Sequence, residues 1–126
     1  MSTAYYALFH LLITDAVTNW KRIDQRPDLA RAFDHAGMRK ASKRIAGLKF
    51  SGKLPAGMAD LQRVADAFDQ LQEFRHFADY DSSQKWSRSD ALAAVNCCDA
   101  AFRAWRAIRT EKIAQDYLFE LLFPRR

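Results

Sequence analysis

The chain has 126 residues, 49% hydrophobic and 28% charged, with only four Gly and three Pro. That length suits one domain with a real core, and the scarcity of helix breakers beside abundant Ala, Leu, Arg, Lys, Asp and Gln predicts an all-helical protein. Net charge is +5; the longest apolar run, residues 4–13 broken by His10, is too short for a membrane span, lacks a basic leader, and the two cysteines are adjacent, so a reducing cytoplasm without disulfides is expected.

The opening segment STAYYALFHLLITDAVTNW predicts a first helix over about 2–20. Tyr5, Tyr6, Leu8, Phe9, Leu12, Ile13, Ala16 and Trp20 wrap most of its circumference, the pattern of a helix buried in a bundle or across an oligomer interface. It starts without a lead-in, which suggests more chain ahead of it. RIDQRPDL reads as a linker and a new start, with Pro27 suited to a first helical turn. A second helix follows over about 28–46, with Leu29, Phe33, Ala41 and Ile45 inward and a soft point at Gly37. GLKFSGKLPAGM reads as loop. The third helix, about 58–79, is amphipathic through Leu61, Val64, Ala65, Phe68 and Leu71. After YDSSQKWSRSD, with Ser87 or Ser89 as cap, a long C-terminal helix covers about 88–122 and breaks near Arg109–Thr110. Its expected seam is Ala91, Val95, Cys98, Phe102, Trp105, Ile108, Ile113, Tyr117 and Leu121. Four helices on short connections predict a single-domain antiparallel four-helix bundle over residues 1–126.

Charge placement says more than net charge. Arg39, Lys40, Lys43, Arg44, Lys49 and Lys53 fall in one stretch without an acid, so it carries +6 and the remainder of the +5 chain sums to −1. Such a field either holds phosphates or nucleic acid, through Arg39, Lys40, Lys43 and Arg44, or is a solvated helix face.

The stripe Leu61, Val64, Phe68, Leu71 has Arg75 as its next member. A guanidinium on a core stripe costs several kcal/mol, on the order of 3–5, unless something pairs with it. Asp79 stands at i+4 and meets it on the same face, which gives a simple intrahelical ion pair as one reading. With His76, Asp79 and Tyr80 close by and a loop adjoining, an anion site is the other. His10 reads as a satisfied core histidine, and with no second ligand at metal spacing neither a metal nor a cofactor is expected. Cys97 and Cys98 read as packing residues.

Two stretches together resemble a known family. STAYYALFHLL resembles the S-R-A-Y-Y-A-x-F-H segment opening the first long helix in one branch of the HEPN domains (higher eukaryotes and prokaryotes nucleotide-binding). FRHFADYD resembles that branch's R-x-x-A-D-Y-D at the end of the third helix. The resemblance implies an all-α homodimer that binds a nucleotide or RNA, partnered with a minimal nucleotidyltransferase in a toxin–antitoxin-type system. Many HEPN domains are metal-independent ribonucleases, with an Arg, a polar residue and a His four to six residues beyond the Arg, two such motifs facing each other across the dimer cleft. Arg75 matches the Arg and His76 the polar follower, but positions 80, 81 and 82 are Tyr, Asp and Ser, and Thr3 replaces the Arg of the first motif. Tyr80, with an ordinary pKa near 10, suits proton transfer poorly, and His76 sits about 100° round the helix from Arg75. Arg75 is then the phosphate clamp, with Asp79 and His10 supporting. Three readings stay open: a nucleotide- or RNA-binding module, an active endoribonuclease using Arg75 with His76 or Tyr80, and a structural or regulatory bundle without ligand.

Overall fold

A computed structural model describes the backbone of residues 2–80 and 88–125 and the side chains of 3–75 and 88–125. Local sequence signals set the element boundaries. Helix α1 spans Ser2–Val17 and stops short of Trp20, because the chain tightens into a turn: the Asn19 and Trp20 amides donate to the carbonyls of Ala16 (3.2 Å) and Val17 (2.9 Å). Arg26 closes that turn by donating to the carbonyls of Trp20 (2.9 Å) and Thr18 (3.1 Å), supplying partners that a helix end otherwise lacks. Trp20 is therefore about half exposed and not part of the inward face.

The stretch expected as one second helix is two. A single 3-10 turn, Ile23–Gln25, leads into α2, Arg26–Ala30, which has Pro27 in its first turn. Helix α3, His35–Ala46, begins anew because Asp34 adopts an extended backbone and its carboxylate accepts the Gly37 amide at 2.7 Å. That is an N-cap, which stabilises a helix start by about 1 kcal/mol. Gly37 thus lies in a first turn and not at a mid-helix soft point. A Cβ there would come within 3.2 Å of both Asp34 and Pro124, so the glycine admits the C-terminal segment closely.

Helix α4 runs Met58–Tyr80, as its pattern predicts. The last predicted helix separates at the expected place into α5, Arg88–Ile108, and α6, Lys112–Leu122, with Glu111 extended between them. Since α5 begins at Arg88, Ser89 sits inside its first turn and is not a cap; Ser87 lies outside the described residues.

Among the described residues the architecture is six α-helices and one 3-10 turn, with no strand. Helix α4 packs against α5, α3 and α1, while α6 packs against α3 and α1. Helices α3 and α4 run antiparallel, because Arg39 reaches Asp69 (2.7 Å) while Gln62 donates to the carbonyls of Ile45 and Leu48. Tyr5, Leu8 and Leu12 of α1 are fully buried with Phe68, Leu71, Trp105 and Leu118. The apolar surplus on α1 is thereby consumed inside the chain, since three helices cover it at once. On α5 the seam is rotated from the expected one. Ala94, Cys98, Ala101, Trp105 and Ile108 are buried, whereas Ala91 and Val95 face outward. The alanines let neighbouring helices approach more closely than valine would, and that approach sets the buried side. No helix among the described residues is long and apolar enough to cross a membrane.

Candidate functional site

The reason for an arginine on the α4 stripe lies on α1. Consecutive tyrosines at positions 5 and 6 point to neighbouring faces of that helix, and α4 delivers Arg75 against both. The Arg75 guanidinium carbon stands 5.5 Å from the ring centre of Tyr5 and 5.5 Å from that of Tyr6. A cation over aromatic faces is attracted by the ring quadrupoles, about 0.5–2 kcal/mol per contact depending on desolvation. The two segments that look alike to family motifs thus meet in space, and Arg75 is half-buried at their junction.

A third element joins them. His35 is the first residue of α3, held there by the Asp34 cap. Its Nδ1 lies 2.5 Å from the Tyr5 hydroxyl, and its ring stacks on Phe9 at 4.5 Å with an interplanar angle of 19°. Gln72 donates to the His35 carbonyl at 3.3 Å, and the Gln72 Oε1 is buried without a hydrogen-bond partner among the described residues. Burial, opposed by the charges of Arg75 and Arg39, raises the Tyr5 phenol above its ordinary range. Burial first, and the Arg75 charge second, lower the His35 pKa, with Asp34 acting weakly the other way. Both groups therefore stay neutral at pH 7. A single proton then lies between the Tyr5 oxygen and His35 Nδ1, and the imidazole tautomer sets which of the two donates.

That assignment makes a pH prediction. A histidine whose folded pKa lies below its unfolded value near 6.5 contributes stability that is complete above that value and is lost as pH falls through it. Urea unfolding of the wild type should show stability declining below about pH 6.5, and His35→Asn should remove that part of the decline. A wild-type profile flat between pH 7 and pH 5.5 would contradict a neutral His35.

His10 does not take the core position expected of it. Two residues beyond Leu8, it is about 200° round the helix from that buried side chain, and it is exposed, with its ring stacked on Tyr6 at 6.2 Å. It stands beside the cluster, on the solvent side. The side chains of His76, Asp79 and Tyr80 lie outside the described residues.

The basic segment of α3 divides by function. Arg39 donates to Asp69 at 2.7 Å and approaches Glu73 at 3.5 Å. Arg44 grips Glu120 with two bonds of 2.5 Å, and Glu120 is almost fully buried. Hydrogen bonds to those carboxylates raise both arginines' pKa values. Lys40, Lys43, Lys49 and Lys53 are exposed. Of the four helical cations expected at phosphates, two tie helices together and Lys40 and Lys43 face solvent.

His35 was not legible as a site residue. Its only sequence signal is the Asp-His pair opening a helix, and the Tyr5 and Phe9 that give it meaning lie on another helix. Among the described residues no group of three or more His, Cys, Asp or Glu side chains could hold a metal ion. The described residues define an all-α protein whose most distinctive feature is a cation–aromatic–imidazole cluster joining α1, α3 and α4. No protein-family model matches the chain, and neither a curated protein nor a solved structure does so.

Proposed function

We propose that this protein is a HEPN-like module that binds the phosphate of a nucleotide or an RNA, with Arg75 as the phosphate ligand. The observation carrying this reading is the placement of Arg75 against Tyr5 and Tyr6, half-buried beside a neutral imidazole. The two aromatic faces fix the guanidinium in place at the junction of α1 and α4, and a guanidinium's planar donor fork matches the paired oxygens of a phosphate. Tyr6 and the stacked, exposed His10 offer π-faces to a base next to that phosphate. Lys40 and Lys43 extend the positive field along α3. A minimal nucleotidyltransferase as partner, a toxin–antitoxin setting and a homodimer belong to the same proposal through the family resemblance.

Binding of a short single-stranded RNA and of ATP, followed by fluorescence anisotropy at two salt concentrations, tests it. Arg75→Ala should weaken binding at least tenfold while the fold survives, at a stability cost of about 1 kcal/mol from the lost aromatic contacts. Arg75→Lys should recover charge but not the fork, and bind between the two. Lys40→Gln with Lys43→Gln should reduce the salt slope by about two for RNA. A loss of about 3–5 kcal/mol in Arg75→Ala, with no binding by the wild type, would show a buried structural arginine instead.

One observation favours a second reading, an endoribonuclease. His35 is an imidazole held neutral beside the Tyr5 that Arg75 also touches, and in the tautomer whose Nδ1–H donates to the Tyr5 oxygen its Nε2 lone pair serves as the general base. In that reading His35 serves where His76 or Tyr80 would be expected. Cleavage of RNA lost in both Arg75→Ala and His35→Ala, with RNA binding kept in His35→Ala, would establish it.

A further inference from the structure

A groove of about 370 Å³ opens between the turn that follows α1 and helix α6. Trp20, Leu29 and Phe33 line it from the first side, and Leu118, Phe119 and Phe123 from the second. None of these is Tyr5, Tyr6, His35 or Arg75, so binding here and binding at Arg75 stand or fall separately. In a chain that is 28% charged, no charged side chain reaches this lining. The neighbouring groove, about 460 Å³, differs, because Arg44, Asp116, Glu120 and Arg125 are part of its wall. The uncharged walls are set before anything binds. Trp20 is about half exposed, yet its indole N–H donates to Gln25 at 2.8 Å, which fixes the ring. Phe119 and Phe123 brace each other, with ring centres 5.1 Å apart and planes tilted by 46°. Phe33 and Leu118 are buried and form a floor. The polar part of the lining is two amides. Asn19 donates to Gln115 at 2.6 Å, and Gln115 donates in turn to the Arg109 carbonyl at 2.7 Å. Those bonds turn an N–H of each amide into the protein and leave the Asn19 carbonyl oxygen as an acceptor for a ligand.

We propose that this groove binds a small, uncharged aromatic molecule of two or three rings that carries a hydrogen-bond donor. Each feature of that ligand answers a feature of the site. Apolar and aromatic walls around a few polar groups, at a few hundred Å³, are the ordinary make-up of a small-molecule site. A cavity of about 150 Å³ already takes benzene, so about 370 Å³ takes two or three rings. Aromatic faces already held in place stack on a flat ring system at little ordering cost. An ion would leave water for a lining without a counter-charge, and that transfer is costly. A protein partner takes about 800 Å² from each side, an area that a groove of this volume does not present. The donor is required by the Asn19 oxygen, which would otherwise lose its water to an apolar ligand.

The probe is N-phenylnaphthylamine, a neutral three-ring molecule with one N–H whose emission rises in apolar surroundings. Titrating the protein into a trace of probe should give a Kd of about 10–200 micromolar, the range that the per-atom efficiency of drug-sized ligands sets for its size. Anilinonaphthalenesulfonate has the same rings and a negative charge, and should bind at least tenfold more weakly. Trp20→Ala and Leu29→Lys, which alter this groove alone, should each weaken the neutral probe at least tenfold. Neither side chain is fully buried, so circular dichroism should be unchanged in both. Phe50→Ala, which alters only the neighbouring groove, should bind within twofold of wild type. No rise in emission with the wild type overturns the proposal, as does a rise that ignores both Trp20→Ala and Leu29→Lys. A sulfonate bound as tightly as the neutral probe overturns the choice of an uncharged ligand. Emission that declines at high protein concentration, as self-association fills the groove, would give the site to a second copy and overturn the proposal too.

Discussion

Trp105→Ala should cost about 3–5 kcal/mol of folding stability, enough to leave much of the population unfolded near room temperature. Among the described residues Trp105 is the largest fully buried side chain; it sits where α5 meets α1, with its ring centre 6.3 Å from that of Tyr117 on α6. Removing the ring opens a cavity that rigid helices fill only in part. Its indole N–H also donates to Asp15 at 2.6 Å, and Asp15 accepts from Arg109 at the same distance. The variant therefore loses a hydrogen bond as well as packing. Trp105→Phe should recover most of the volume and not the bond, for a loss of about 1–2 kcal/mol. Urea titrations of the three proteins measure both differences, and a loss below 1 kcal/mol in Trp105→Ala would mean that the core is not packed as described.

Arg44→Ala should cost about 3 kcal/mol, although the residue belongs to a segment that reads as a solvated basic face. The substitution strands the Glu120 carboxylate, whose side chain is only 8% exposed, and an uncompensated buried charge is among the most damaging single changes. Arg125, 3.5 Å from the same carboxylate, offsets part of the loss. The double variant Arg44→Ala with Glu120→Gln should be less damaged than the sum of the single changes, because the stranded charge has gone. Lys40→Gln and Lys43→Gln should each fall within about 0.5 kcal/mol of wild type, as exposed side chains without a tertiary partner do. If Arg44→Ala behaved like the lysine variants, the buried ion pair would not be holding α3 to α6.

Several features followed from neighbours in the chain. The all-helical class, the limits of α4 and the break between Ile108 and Lys112 rest on helical periodicity and on scarce Gly and Pro, which act over a few residues. The unexpected start of α3 was also written locally, in Asp34 and Gly37, and was masked by an apolar pattern continuing from Leu29 through Phe33. Periodicity on α1 gave which residues are apolar but not what covers them, so a surplus that suggests an interface is instead enclosed by α4, α5 and α6.

What the sequence by itself determined is therefore the set of helices and the oddity of Arg75 on a core stripe. Tertiary structure decided what each charge and ring does. Arg39 and Arg44 meet carboxylates 30 and 76 residues away, and Tyr5 meets His35 across 30 residues. A periodic pattern reports one helix's preferred side, whereas the partner of a charged or aromatic group depends on which helices close over it. That choice is made by packing among all the helices together, and it turned a basic run into two interhelical ties and two free lysines, and a lone arginine into the centre of an aromatic cluster.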